Sequence, residues 1–239
     1  MLKENEKIPL DEFINKSLFD DEKGYYMIKN PIGKNGDFIT SPNISVMFSE
    51  MISIWLISFW EKLGSPKKIN IIELGGGNGE MMYQIIKTIN NFKNFKKAAE
   101  FIIIDKSPIL TSIQKKKLKN LNVAWKKNLE KITSVPNIFI ANEFFDAFPV
   151  KQFFKKKKIW YERYVIKSNG KYKFYEQKVK KKYVTQNFPE IINNKLEFLE
   201  FSPTGLDVLN NISKLIKQYN GGLLVIDYGY EKKKMFNIF

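Results

Sequence analysis

Seven consecutive residues, Glu73-Leu74-Gly75-Gly76-Gly77-Asn78-Gly79, limit what this chain can fold into more than any other feature. They lie between a short apolar run, Asn70 to Leu74, and a helical pattern, Glu80 to Asn90. Glycines at such a handover remove Cβ atoms, so the backbone can turn tightly and press against a ligand. The helix that follows opens with free N–H groups. A strand, a glycine loop and a helix in that order are the start of a Rossmann-like α/β unit. The same rhythm continues downstream. Phe101 to Ile104, Val123 to Trp125 and Ile138 to Ala141 read as short apolar strands, and Ile109 to Asn120 as a Lys-rich amphipathic helix. Buried runs alternating with helices predict a parallel sheet covered on both faces.

The glycine spacing also discriminates between ligands. A dinucleotide fingerprint is G-x-G-x-x-G, with a diphosphate on the helix N-terminus. Here the pattern is E-x-G-x-G-x-G. A carboxylate beside a diphosphate is electrostatically unfavourable, whereas it can pair with a cationic ligand. S-adenosylmethionine, with its sulfonium and ammonium groups, fits; a nicotinamide-dependent oxidoreductase fits worst. A glycine-rich loop with no ligand leaves Glu73 without a role.

Two further constellations follow. Asp105 ends the strand Phe101 to Ile104, thirty residues beyond Gly75. A carboxylate there accepts hydrogen bonds from ribose hydroxyls in Rossmann-like units; a helix cap beside Ser107-Pro108 is the simpler alternative. Asn142, Glu143 and Asp146 sit among Phe144, Phe145 and Phe148 directly after the strand Ile138 to Ala141. Ligands of open α/β sheets lie at the carboxyl ends of the strands. This segment therefore faces the ligand and can hold an amine or guanidinium by its N–H groups, unless Glu143 and Asp146 merely cap backbone amides.

Composition removes other chemistries. There is no cysteine and no histidine among the 239 residues. Disulfides, thiolate metal sites, Ser-His triads and haem ligation by histidine are excluded; no metal is expected. The formal charge of +15 suggests a polyanionic partner, but only Arg163 of the 40 basic residues is an arginine. Phosphate and base recognition favour the planar guanidinium. The charge reads as a solvated lysine surface and the codon choice of an AT-rich bacterial genome, so nucleic acid is not an expected partner.

Before the glycine loop, the sequence predicts a helix from Leu10 to Leu18, a turn at Gly24 and a polar loop from Asn30 to Asp37. A long helix then runs from Pro42 to about Leu63, where Gly64 and Pro66 stop it. Residues 1–66 form a helical extension or lid, and 67–239 the Rossmann-like domain with an insertion at about 150–203. In that insertion, Trp160 to Ile166, the Asn169-Gly170 turn and Tyr172 to Val179 make a β-hairpin. A helix from Leu206 to Tyr219, capped by Gly221-Gly222, and a strand Leu223 to Ile226 follow. The apolar stretch Ile44 to Trp60 is interrupted by Ser49, Glu50, Ser53 and Ser58, and reads as a core helix rather than a membrane span. Met1 to Leu18 has no apolar signal core and no Arg-rich amphipathic pattern, so a cytoplasmic location is expected.

Five blocks occur in order: Gly36-Asp37-Phe38-Ile39-Thr40-Ser41-Pro42, Phe48-Ser49-Glu50, the glycine loop, Asn142 to Pro149, and Ile226-Asp227-Tyr228-Gly229-Tyr230. Together they resemble the MidA family of S-adenosylmethionine-dependent methyltransferases over about residues 24–230. The resemblance implies a class I methyltransferase fold. Gly75, Gly77 and Gly79 would contact the donor, with Glu73, Asp105, Thr40, Ser41, Pro42 and Asn128 completing its site. Glu143, Asn142 and Asp146 would be the catalytic residues. It further implies protein arginine methylation in the assembly of respiratory complex I, with a protein substrate as partner and a homodimer as an option. A non-catalytic assembly factor of the same fold, docking through Phe153, Phe154, Trp160, Tyr161 and Tyr164, is the alternative. The family pattern usually has Glu after Pro42 and Gly before Glu50; this chain has Asn43 and Ser49. Family members also continue past the Asp-Tyr-Gly block to two more strands, so the sequence suggests a shortened member or an edge completed by a partner chain.

Overall fold

The computed structural model describes residues 2–33, 36–38, 40–132, 134–180, 182–184 and 197–229. Lys34, Asn35, Ile39, Tyr230 and the 185–196 part of the expected insertion lie outside them. The chain separates into two compact units, residues 26–147 with 209–239 and residues 1–25 with 148–208. This division differs from a boundary at residue 66. Strand β1 (Lys7–Pro9) pairs antiparallel with β7 (Ile159–Ser168), so backbone hydrogen bonds group the first residues with the hairpin.

The larger unit is built on a five-stranded sheet in the order β10-β5-β2-β3-β4. Its strands are β2 (Ile69–Leu74), β3 (Ala99–Ile104), β4 (Val123–Lys126), β5 (Asn137–Asn142) and β10 (Gly221–Ile226). Every neighbouring pair is parallel. Every residue of β2 and β5 is buried, which is why both read as mostly apolar runs, broken only by Asn70 and Glu73 in β2 and by Asn137 and Asn142 in β5. Helices α4 (Val46–Lys62) and α5 (Glu80–Ile89) pack Leu56, Trp60, Ile85 and Ile89 against Ile69, Ile71, Ile138 and Ile140. A second cluster gathers Met82, Ile86, Ile103 and Leu118.

Three local readings are corrected. The single helix expected from Pro42 to Leu63 is two, α3 (Ser41–Ile44) and α4, because Ser45 is extended at φ −141° and ψ 124°. Between the expected Glu80 to Asn90 helix and the Phe101 strand, where the sequence predicts no element, the chain forms α6 (Lys93–Ala98), anchored by buried Phe95 and Ala98. Gly221-Gly222 does not cap α8 (Pro203–Tyr219); Asn220, at φ 69°, leaves the helix in the left-handed region. Gly221 already pairs with Asn137, and a Cβ there would lie 1.9 Å from the Asn137 carbonyl oxygen. Close strand approach, not capping, requires that glycine.

The smaller unit has α1 (Leu10–Phe19) and an antiparallel sheet in the order β1-β7-β6-β9, with β8 (Lys171–Val179) also pairing β7. The hairpin forms as expected, with Asn169 at φ 52° and Gly170 at φ 72°. Strands β1, β6 (Lys151–Lys156) and β9 (Phe198–Phe201) carry no comparable turn signal in the sequence. Phe153, Phe154 and Trp160, expected on a docking surface, are buried. Phe153 and Trp160 pack with Val184 in this unit's core, and its exposed aromatics among the described residues include Tyr172, Phe174 and Tyr175 of β8 and Tyr183. Among the described residues no helix is long and apolar enough to cross a membrane, and no group of acidic side chains could hold a metal ion.

Candidate active site

Strand order places the site. From β2 the chain adds β3 and β4 on one side and β5 and β10 on the other, so the topological switch point lies between β2 and β5. Open α/β sheets bind their ligands there, beyond the strands' carboxyl ends. The residues after β2 are the glycine loop; those at and after the end of β5 are Asn142 and Glu143.

Gly75, Gly77 and Gly79 all have positive φ, at 67°, 51° and 82°. A Cβ on Gly75 would sit 2.9 Å from the Phe144 ring, so this turn is both left-handed and closely packed. The loop borders a solvent-open cleft of about 400 Å³. Seven of the residues singled out from sequence line it: Glu73, Gly75, Gly77, Thr40, Pro42, Asn142 and Glu143. Ile32, Asn43, Asn78, Glu80 and Met81 line it too. Asn78 Nδ2 donates to Asn43 Oδ1 at 2.7 Å, and Asn43 Nδ2 to Thr40 Oγ1 at 2.9 Å. This amide chain ties the glycine loop to the segment before α3. Asn43, a departure from the family pattern, therefore has a structural role in the cleft wall.

Glu73 carries the least ordinary electrostatics. It is 2 % exposed, and its Oε2 has no hydrogen-bond partner among the described residues. Burial first, and the nearby Asp105 carboxylate second, push its carboxyl up to about 8. Asn142 Oδ1 is likewise buried and unpartnered among the described residues. Buried polar atoms are rarely left unpaired, and those that are call for a specific cause such as a ligand. Glu143 adopts φ 48°, unusual for a side-chain-bearing residue, and its N–H donates to the Ile226 carbonyl at 2.8 Å. Asp227 Oδ2 accepts the N–H groups of Phe145 (2.9 Å) and Asp146 (3.2 Å), so the Asp-Tyr-Gly block holds the turn that presents Glu143.

Five of the singled-out residues lie outside the cleft lining. Gly79 caps α5 from beneath the loop, and Ser41 opens α3. Asp146 keeps solvent access as a residue, but partial desolvation of its carboxyl first, then the Asp227 and Glu143 carboxylates, raise it above the ordinary range. Asp105 is held by Ser107 N–H on Oδ1 (2.9 Å), by Gln114 Nε2 on Oδ2 (2.7 Å) and by the Gly76 backbone. Burial raises its carboxyl, and these three donors oppose that rise. Asn128 is exposed, and its Oδ1 accepts the Glu130 N–H in a local turn. Asn78 and Gln114 escape sequence reasoning because a lone amide carries no motif.

Fold and cleft together define a Rossmann-like protein with a site for a cationic, nucleoside-bearing ligand. The Methyltransf_28 family profile, for S-adenosyl-L-methionine-dependent methyltransferases, matches residues 51–237, and the chain belongs to that family. Its cofactor is S-adenosyl-L-methionine. The chain is 27% identical over 270 residues to the mitochondrial protein arginine methyltransferase NDUFAF7 of Xenopus laevis, covering 98% of this chain and 59% of that protein. It is 33% identical over 167 residues to the Drosophila melanogaster homolog, covering 60% of this chain and 38% of that protein. A crystal structure from Burkholderia thailandensis, bound to S-adenosyl-homocysteine, superposes with a TM-score of 0.80 at 19% identity, over 97% of this chain and 60% of that one. The chain thus spans about three fifths of the length of the curated relatives it matches end to end.

The cleft residues fit the cofactor. The orphaned Glu73 Oε2 offers a carboxylate to a cation, and the left-handed glycines leave room for a ligand against the backbone.

Proposed function

We propose that this chain transfers a methyl group from S-adenosyl-L-methionine to a nitrogen of a protein arginine side chain. The observation that carries the reading is Glu143, lining the glycine-walled cleft in a left-handed conformation that Asp227 and Ile226 brace. Strained, braced residues of this kind cluster at functional sites. The relatives named as protein arginine methyltransferases support the choice of acceptor.

When bound, S-adenosyl-L-methionine supplies an electrophilic methyl on a sulfonium: a nitrogen lone pair forms the C–N bond while the C–S pair returns to sulfur. The chain's residues position and balance charge. Glu73 gives up its proton and offers a carboxylate to the donor's cationic end. Asp105 meets the ribose hydroxyls. Glu143 accepts an N–H of the guanidinium, concentrating the positive charge away from the attacking nitrogen, and takes the proton that nitrogen releases. Asp146 adds negative charge on the same turn.

Label transfer from the methyl-tritiated donor tests this. A respiratory-complex subunit, the acceptor class the family resemblance implies, is the first protein to try, with its arginines changed to lysine as control. Arginine-dependent incorporation that Glu143→Gln abolishes supports the reading. Incorporation that persists in Glu143→Gln, or follows lysine, contradicts it.

A further inference from the structure

Gln114, on α7 (Pro108–Lys117), is fully buried, and every polar atom of its carboxamide is used. Nε2 donates to Asp105 Oδ2 at 2.7 Å and to the Gly77 carbonyl at 3.0 Å. Oε1 accepts the Trp125 indole N–H at 3.1 Å. Reversing the amide would set Oε1 against two acceptors and Nε2 against a donor, so only one orientation satisfies the site. The glycine loop rests directly on this side chain. A Cβ on Gly76 would lie 3.1 Å from Gln114 Nε2, and one on Gly79 3.4 Å from Gln114 Cα.

We propose that Gln114 is the positioning residue that fixes Asp105 and the Gly77 backbone relative to one another, so that the carboxylate meets a ribose diol while the loop holds the rest of the ligand. It rests on the reading of Asp105 as the ribose partner. The two contacts join segments 28 residues apart in sequence, Gly77 after β2 and Asp105 after β3, and they add to the Gly76 N–H that the Asp105 carboxylate itself accepts. Gln114 touches no reacting atom. Its action is through Asp105. A glutamate in its place could donate to neither acceptor and would bring a third carboxylate beside Asp105 and Glu73. A methionine keeps the volume and loses both donors.

The test is calorimetric titration of the full chain with S-adenosylhomocysteine and with its 2′,3′-dideoxy analogue. In the parent protein, removing the diol weakens binding about tenfold or more, the loss expected of a hydrogen bond to a charged group. In Gln114→Met, S-adenosylhomocysteine weakens by a similar factor, whereas the analogue changes less than about twofold, because the diol contact is already lost. Gln114→Glu gives the same pattern should the methionine variant not fold. Equal weakening of both ligands, or of neither, overturns the proposal and assigns Gln114 to packing alone. A parent protein that does not distinguish the two ligands overturns the ribose reading of Asp105, and the positioning role with it.

Discussion

In the antiparallel unit, Glu162 is 6 % exposed and Lys151 Nζ lies 2.8 Å from its carboxylate, with Asp11 3.1 Å from the same ammonium. In the parallel unit, Glu73 is buried still more deeply, at 2 % exposure, and among the described residues the only charged neighbour that acts on it is another carboxylate, Asp105. One unit answers its buried charge within the chain. The other leaves it to a proton, beside an open cleft. Buried charges cost free energy unless paired, so the unanswered carboxylate is where we propose that the cationic ligand binds. The same contrast appears in the arginine content. Arg163, the single arginine, is 5.3 Å from the Phe154 ring centroid and 4.8 Å from that of Phe174, a stacking use of the planar guanidinium in the unit that contributes no cleft residue.

Substitutions can break the comparison from either side. The largest effect is expected of Gly77→Val: a β-branched residue at φ 51° within the cleft wall should abolish donor binding, a loss of about 100-fold or more by calorimetric titration. Glu143→Gln should lower methyl transfer by about 10²–10³-fold, the scale of removing one electrostatic partner, with donor affinity within about threefold in the same preparation. On the other side, Lys151→Met strands Glu162 and Asp11 and should cost about 2 kcal/mol in urea unfolding, with donor affinity unchanged.

The pH dependence sharpens the contrast. Glu73 titrates near 4.5 when unfolded and at about 8 when folded. A raised acid binds its proton more tightly in the folded state, so its stabilising contribution is full below about 4.5 and is lost as the pH rises through about 8. Glu73→Gln should remove that decline, so that the ligand-free variant gains on the parent protein across the window in urea titrations. A cationic donor favours ionised Glu73. Binding at neutral pH should therefore release a proton, seen as a buffer-dependent calorimetric enthalpy that the Gln variant lacks.

Much of the parallel sheet was legible because its central strands β2 and β5 are buried on both faces and its outer strands, though partly exposed, are still mostly apolar. The hairpin was legible from Asn169-Gly170. Strand β1 was not, since three residues ending in proline show no alternation, and it exists only because β7 offers a partner. Helix α6 was hidden for a related reason: only Phe95 and Ala98 bury side chains, while four of its six residues are polar. In the site, the glycine loop and Asn142-Glu143 declare themselves by position after a strand. Asn43, Asn78 and Gln114 do not, because their partners lie up to 37 residues away and an amide has no local signature.

The most direct test of the central claim is calorimetric titration of the purified chain with S-adenosyl-L-methionine, with NADH as control. The account predicts binding of the first alone, on the order of micromolar, and its loss in Gly77→Val. A folded, monodisperse sample that binds neither ligand, or binds NADH equally well, would contradict it.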